Sequence, residues 1–86
     1  MKHHSSERFW QLYEELPERV RAQADKSFAQ LRLNPRHPSL HFKQAGRFWS
    51  ARIGSHHRAQ AVQEGDDLVW FWIGDHDAYD RLLRRG

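Results

Sequence analysis

The chain has 86 residues, no cysteine, and a formal charge of +3 at pH 7 with seven histidines counted as neutral. That length suits one domain, residues 1–86, with a limited core. Disulfide staples and thiolate metal sites are excluded, no apolar run is long enough to span a membrane, and the expected setting is a reducing cytoplasm. The basic balance favours an acidic partner, either a nucleic acid or an acidic protein. Met1 to His4 read as a frayed end or a very short strand. Ser5 and Ser6 are N-cap types and Glu7 suits the first turn of a helix. Phe9, Leu12, Tyr13 and Leu16 then recur at the spacing of an amphipathic helix. Pro17 ends that helix and suits the start of a second one. In the second helix Val20, Ala24, Phe28 and Leu31 form the inward face.

Asn34-Pro-Arg-His-Pro-Ser39 stops the second helix. The period then changes to two. Leu40 and Phe42 alternate with His41 and Lys43, and Trp49, Ala51 and Ile53 alternate with Phe48, Ser50 and Arg52. His57 to Glu64 is a weaker strand. Leu68 to Ile73 is a run of six apolar residues, rich in aromatic and β-branched types and bounded by turn residues, so it predicts a buried strand in the middle of a sheet. Alternation puts Leu68, Trp70 and Trp72 on one side of it and Val69, Phe71 and Ile73 on the other. Trp70 or Trp72 is expected to meet Phe9, Tyr13 or Phe28. Asp75 can cap a short last helix carrying Tyr79, Leu82 and Leu83, with Arg81, Arg84 and Arg85 towards its end. The expected fold is α+β: a helical hairpin packed on one face of an antiparallel sheet of three to four strands, with a short C-terminal helix.

Alternation gathers His41, Lys43, Ser50 and Arg52 on one side of the early strands, and Arg58 and Gln60 can join them. His76 and Tyr79 follow the exit of the aromatic strand. Cations on one sheet face suit a phosphodiester and its more highly charged transition state, and aromatic surface between them suits an unpaired base. Solvated sheet faces are often basic in any case. Metal chemistry is not indicated, because His37 and His41 have helical ligand spacing but enclose Pro38, and His3-His4 and His56-His57 lack a third ligand. No glycine-rich phosphate loop and no serine elbow is present.

Several stretches resemble the RelE/ParE superfamily of toxins from bacterial type II toxin–antitoxin systems. They are Asn34 to Lys43, Trp49-Ser-Ala-Arg-Ile-Gly54 with His57-Arg58, and Trp70-Phe-Trp-Ile-Gly-Asp-His76 with Tyr79 to Leu83. His57 stands where the family commonly has tyrosine. The resemblance implies an endoribonuclease that cuts messenger RNA, acting on the ribosome, without metal or cofactor. It also implies a cognate antitoxin as partner. In that reading the RNA 2′-hydroxyl attacks the adjacent phosphorus and the 5′-oxygen leaves. The resemblance makes His76 the general acid or base, Arg52 and Arg58 the phosphate and transition-state stabilisers, and Tyr79 a base-positioning ring. Lys43 would bind backbone phosphate, and His56, His57 and Asp80 are further candidates for RNA contact. The family also contains ParE-like toxins that poison DNA gyrase, and an inert antitoxin-binding relative is the remaining alternative.

Overall fold

The computed structural model describes residues 2–85, apart from the side chains of Leu83 and Arg85. The expected places of Met1 in a first strand, and of the Leu83 and Arg85 side chains in the last helix, lie outside the described residues. The elements run β1 (His3–Ser5), α1 (Glu7–Glu14), α2 (Glu18–Leu33), a 3-10 turn (Pro38–Leu40), β2 (Lys43–Ala45), β3 (Phe48–Ile53), β4 (His57–Glu64), β5 (Asp67–Asp75) and α3 (His76–Arg85). The α+β class and the helical hairpin are as expected. The sheet differs in having five strands in the order β1-β5-β4-β3-β2. It is mixed, because β1 lies parallel to β5 while the other pairs are antiparallel.

Ser6 follows β1 and caps α1, its hydroxyl accepting from the Phe9 amide at 3.1 Å. Pro17 stands just before α2, as its fixed φ allows. The Tyr13 hydroxyl donates to Asp25 at 2.7 Å and ties the two helices together. Phe9, Val20, Ala24 and Leu31 bury their side chains with Ala51, Ile53, Ala59, Ala61, Leu68, Trp70 and Ile73. Trp70 meets Phe28 edge-on, with ring centroids 5.1 Å apart.

Two local expectations give way. Leu40 does not lie in a strand: it closes the 3-10 turn and is buried, and β2 begins only at Lys43. Pro38 opens that turn, the Leu40 amide donates to the His37 carbonyl at 3.1 Å, and His41 leaves it in a left-handed conformation, φ 43°. The second change lies in β5. Ala61 pairs with Trp70 and Gln60 with Trp72, so Phe71 is an extra residue in a β-bulge. Adjacent residues of β4 face opposite ways, so Trp70 and Trp72 do too. Leu68, Trp70 and Ile73 therefore face the helices and are buried, while Trp72 turns to the other side and is half-buried. The strand β5 is interior, flanked by β1 and β4. Only one of its sides is covered by the hairpin, and α3 packs near its end.

The short β1 is held by more than its ladder. The Trp70 indole N–H donates to His3 Nδ1 at 3.0 Å, and His4 pairs with Asp67 at 3.1 Å. Burial, aided by the Arg32 charge, holds the His3 imidazole below the ordinary histidine range. Burial does the same to His57, against the opposing pull of Asp75. Both groups bind protons more weakly in the folded chain than in the unfolded one, so stability should rise with pH up to about 7. The urea midpoint is expected to be higher at pH 7.5 than at pH 5.5. In His3→Asn, which keeps an acceptor but does not titrate, the difference should shrink. A midpoint unchanged between the two pH values would overturn this.

Candidate active site

The face of the sheet away from the hairpin is built in rows. Lys43 pairs with Ser50, Ser50 with Gln60 and Gln60 with Trp72, so these four stand side by side across β2, β3, β4 and β5. The next row is Arg52, Arg58 and Gly74. On the other flank Phe48, Val62 and Val69 make an apolar row. Phe48 is 49% exposed and meets Phe71 edge-on, 6.3 Å between centroids.

The helix α3 rises from the end of β5 over one side of this face. Asp75 caps it, its carboxylate accepting from the Ala78 amide at 2.8 Å. The cap sets His76 at the first helical position and Tyr79 one turn on. The His76 amide donates to the His56 carbonyl at 3.0 Å, and its ring Nε2 lies 3.3 Å from the Ser55 carbonyl. A carbonyl only accepts, so Nε2 carries the proton in that contact, and in the neutral ring Nδ1 is then the nitrogen with the lone pair. The Tyr79 ring lies between two groups of the sheet. The Arg58 guanidinium carbon is 5.5 Å from its centroid, and the Trp72 ring is 6.0 Å away. Gly74 makes room for the indole, since a Cβ there would come within 2.7 Å of Trp72 Cζ2.

Sheet face and helix enclose an open cleft of about 930 Å³. Of the residues singled out from the sequence, Lys43, Arg58, His76, Tyr79 and Asp80 all line it. Arg52 stands on the same face, opposite Arg58, but is not among the lining residues. Its Nε donates to the Gly54 carbonyl at 2.9 Å and its Nη1 lies 3.5 Å from His41 Nε2, which turns the guanidinium towards the β3–β4 turn. His57 pairs with the buried Ile53 and so belongs to the hairpin side, half-buried. His56 contributes its carbonyl to His76 and is exposed. The ion pair found among the described residues is His4 with Asp67, so neither Lys43 nor Arg58 is neutralised by a carboxylate there.

Sequence reasoning expected aromatic surface between the cations but did not name it. Phe48 and Phe71 line the cleft beside Lys43 and Arg58, and Trp72 stands on the same side against Tyr79 without being among the lining residues. The signal was an aromatic at the outward position of β3 and a β5 that is apolar on both sides.

No protein-family model matches the chain, and no curated protein matches it in sequence. Solved structures do match in fold. The isolated RelE toxin of E. coli superposes with a TM-score of 0.64 at 16% identity, over 98% of this chain and 96% of that one. The RelB–RelE antitoxin–toxin complex from Methanococcus jannaschii gives 0.70 at 13% identity, over 91% and 96%. The YoeB/ParE toxin from Agrobacterium tumefaciens gives 0.65 at 19% identity, over 88% and 99%. The chain has the RelE/ParE-superfamily toxin fold.

Proposed function

We propose that this protein is the toxin of a type II toxin–antitoxin pair, and that it inhibits translation as a metal-independent endoribonuclease cutting messenger RNA on the ribosome. One observation carries the reading. On this fold, an imidazole with a free ring nitrogen and a tyrosine stand over a sheet face bearing two cations with no carboxylate partner among the described residues. The Arg58 guanidinium, stacked on Tyr79, meets the scissile phosphate and the charge that grows on its oxygens. Lys43 holds a neighbouring phosphate across the cleft. The Tyr79 ring, backed by Trp72, stacks on an unpaired base and aligns the strand. The 2′-oxygen attacks phosphorus as its proton is removed, and the 5′-oxygen departs with a proton. His76 serves one of those two transfers. The products are a 2′,3′-cyclic phosphate and a 5′-hydroxyl end.

An antitoxin partner is part of the proposal. Solved structures of this fold include complexes of a toxin with its antitoxin, RelB–RelE from Methanococcus jannaschii and RelBE from E. coli. The open face here leaves Phe48 half exposed beside Phe71 and basic side chains, which suits a segment that carries apolar and acidic residues and folds on binding. Among the described residues no helix is long and apolar enough to cross a membrane. The site proposed for the work is the cytoplasm, where ribosomes are.

The test is direct. Expression should arrest growth, co-expression of the adjacent gene product should relieve the arrest, and message isolated from arrested cells should carry new 5′-hydroxyl ends. Intact message together with inhibited gyrase would move the protein to the gyrase-directed class. Arg58→Ala is expected to slow cleavage and weaken RNA binding. It should also flatten the salt dependence of binding, by roughly 0.7 in log–log slope for each phosphate no longer neutralised. Arg52→Ala is expected to have the smaller effect on all three, because that side chain is engaged at the turn. Equal effects would mean that Arg52 swings into the cleft when RNA binds.

A further inference from the structure

We propose that Gln60 reads the edge of one unpaired nucleobase, an adenine, at the floor of the cleft. The proposal rests on the RNA-cutting reading above. Gln60 is the polar residue of the buried set, with only 8% of its surface exposed. Its place in the fold is the middle of the sheet, on β4, between Ser50 on β3 and Trp72 on β5. An amide in such a place normally has protein partners, because burying one without them is costly. The half-buried Gln63 follows that rule, its side-chain carbonyl accepting from Trp49 Nε1 at 2.9 Å. Gln60 has no side-chain partner among the described residues, yet no buried side-chain nitrogen or oxygen among them is orphaned. Its amide therefore still opens onto the cleft that it lines.

The surroundings say what the amide is placed to meet. Trp72 is its cross-strand neighbour, and Tyr79 lies 6.0 Å from Trp72. A base stacked on the Tyr79 ring, which lines the cleft, presents its edge to the sheet floor. An amide offers one N–H donor and one C=O acceptor at a fixed spacing. Adenine answers with its N6 amino group as donor and N7 as acceptor, the pairing that glutamine makes in bidentate base recognition. The broad aromatic wall favours a purine over a pyrimidine. Arg58 and Lys43 then hold phosphates on either side, which contribute affinity without discriminating between bases.

The measurement is the binding of four 2′-O-methyl tetranucleotides that differ only in one base. These probes lack the attacking hydroxyl, so binding is read without cleavage. The intact protein should prefer the adenine probe by roughly tenfold or more. In Gln60→Leu the four affinities should become equal. In Gln60→Glu, which keeps the shape but offers only acceptors, the preference should turn towards the cytosine probe with its amino donor. If Gln60→Leu fails to fold, Gln60→Glu decides. Equal binding of all four probes by the intact protein overturns the proposal, as does an adenine preference that survives the substitution. A protein that prefers adenine but cuts no RNA keeps the base-reading role and loses the endoribonuclease one. A protein that cuts RNA with a preference indifferent to residue 60 does the reverse.

Discussion

Replacing His76 by glutamine is expected to lower the rate of RNA cleavage by roughly 10²–10⁴-fold, the range for a positioned acid or base, and to leave RNA affinity within a few-fold. The side chain is exposed at the first position of α3, with its backbone amide on the His56 carbonyl. Its ring Nε2–H is committed to the Ser55 carbonyl, which leaves Nδ1 for the substrate. Glutamine can keep the donor half of that arrangement but cannot take up a proton and give it back as an imidazole does. The substitution should cost little stability, because an exposed polar side chain contributes little to the core. Single-turnover cleavage and equilibrium binding of the same RNA, measured side by side, separate the two effects. Cleavage by His76→Gln at the parent's rate would make the histidine a bystander.

The two tryptophans of β5 are expected to separate stability from RNA binding. Trp70→Ala should lose about 3–5 kcal/mol, the usual cost of emptying a buried aromatic site. That is a large share of the roughly 5–15 kcal/mol by which a domain is folded, and a chain of 86 residues has little in reserve. The indole is 1% exposed, packs on Phe28 and holds β1 through His3. Trp72, on the other side of the sheet, is half-buried and supports Tyr79 rather than the core. Trp72→Ala should cost only about 1 kcal/mol of stability. By taking the support from the Tyr79 ring, it should weaken RNA binding by up to the roughly 1–3 kcal/mol typical of a missing stacking surface. Urea melts and binding isotherms on both variants read this out. Equal loss of stability in the two would contradict the change of side at Phe71.

How far the sequence reaches can be followed along β5. Its composition and bounding turns were enough to identify a buried strand, because six apolar residues between glycine–aspartate turns have few other uses. The helical hairpin was equally plain from the spacing of Phe9, Leu12, Tyr13 and Leu16 and of Val20, Ala24, Phe28 and Leu31. The cap at Asp75, and hence the placement of His76 and Tyr79 at the rim, also followed from local chemistry. Alternation put Lys43, Arg52 and Arg58 on one face correctly, since period two is a property of the backbone. Tertiary structure decided the rest. The bulge at Phe71 has no sequence mark among consecutive large apolar residues, and it moves Trp72 from the core side to the opposite side of the sheet, against Tyr79. The strand β1 forms because β5 presents a free edge and a partner for His3, which three residues cannot announce alone. Alternation also puts His57 on the side opposite Arg58, as found, whereas Arg52 bends to Gly54, an outcome that follows from a turn carbonyl and not from residue type. Local rules govern which way a side chain sets out. Where it ends depends on neighbours far away in the chain, and periodicity carries no information about them.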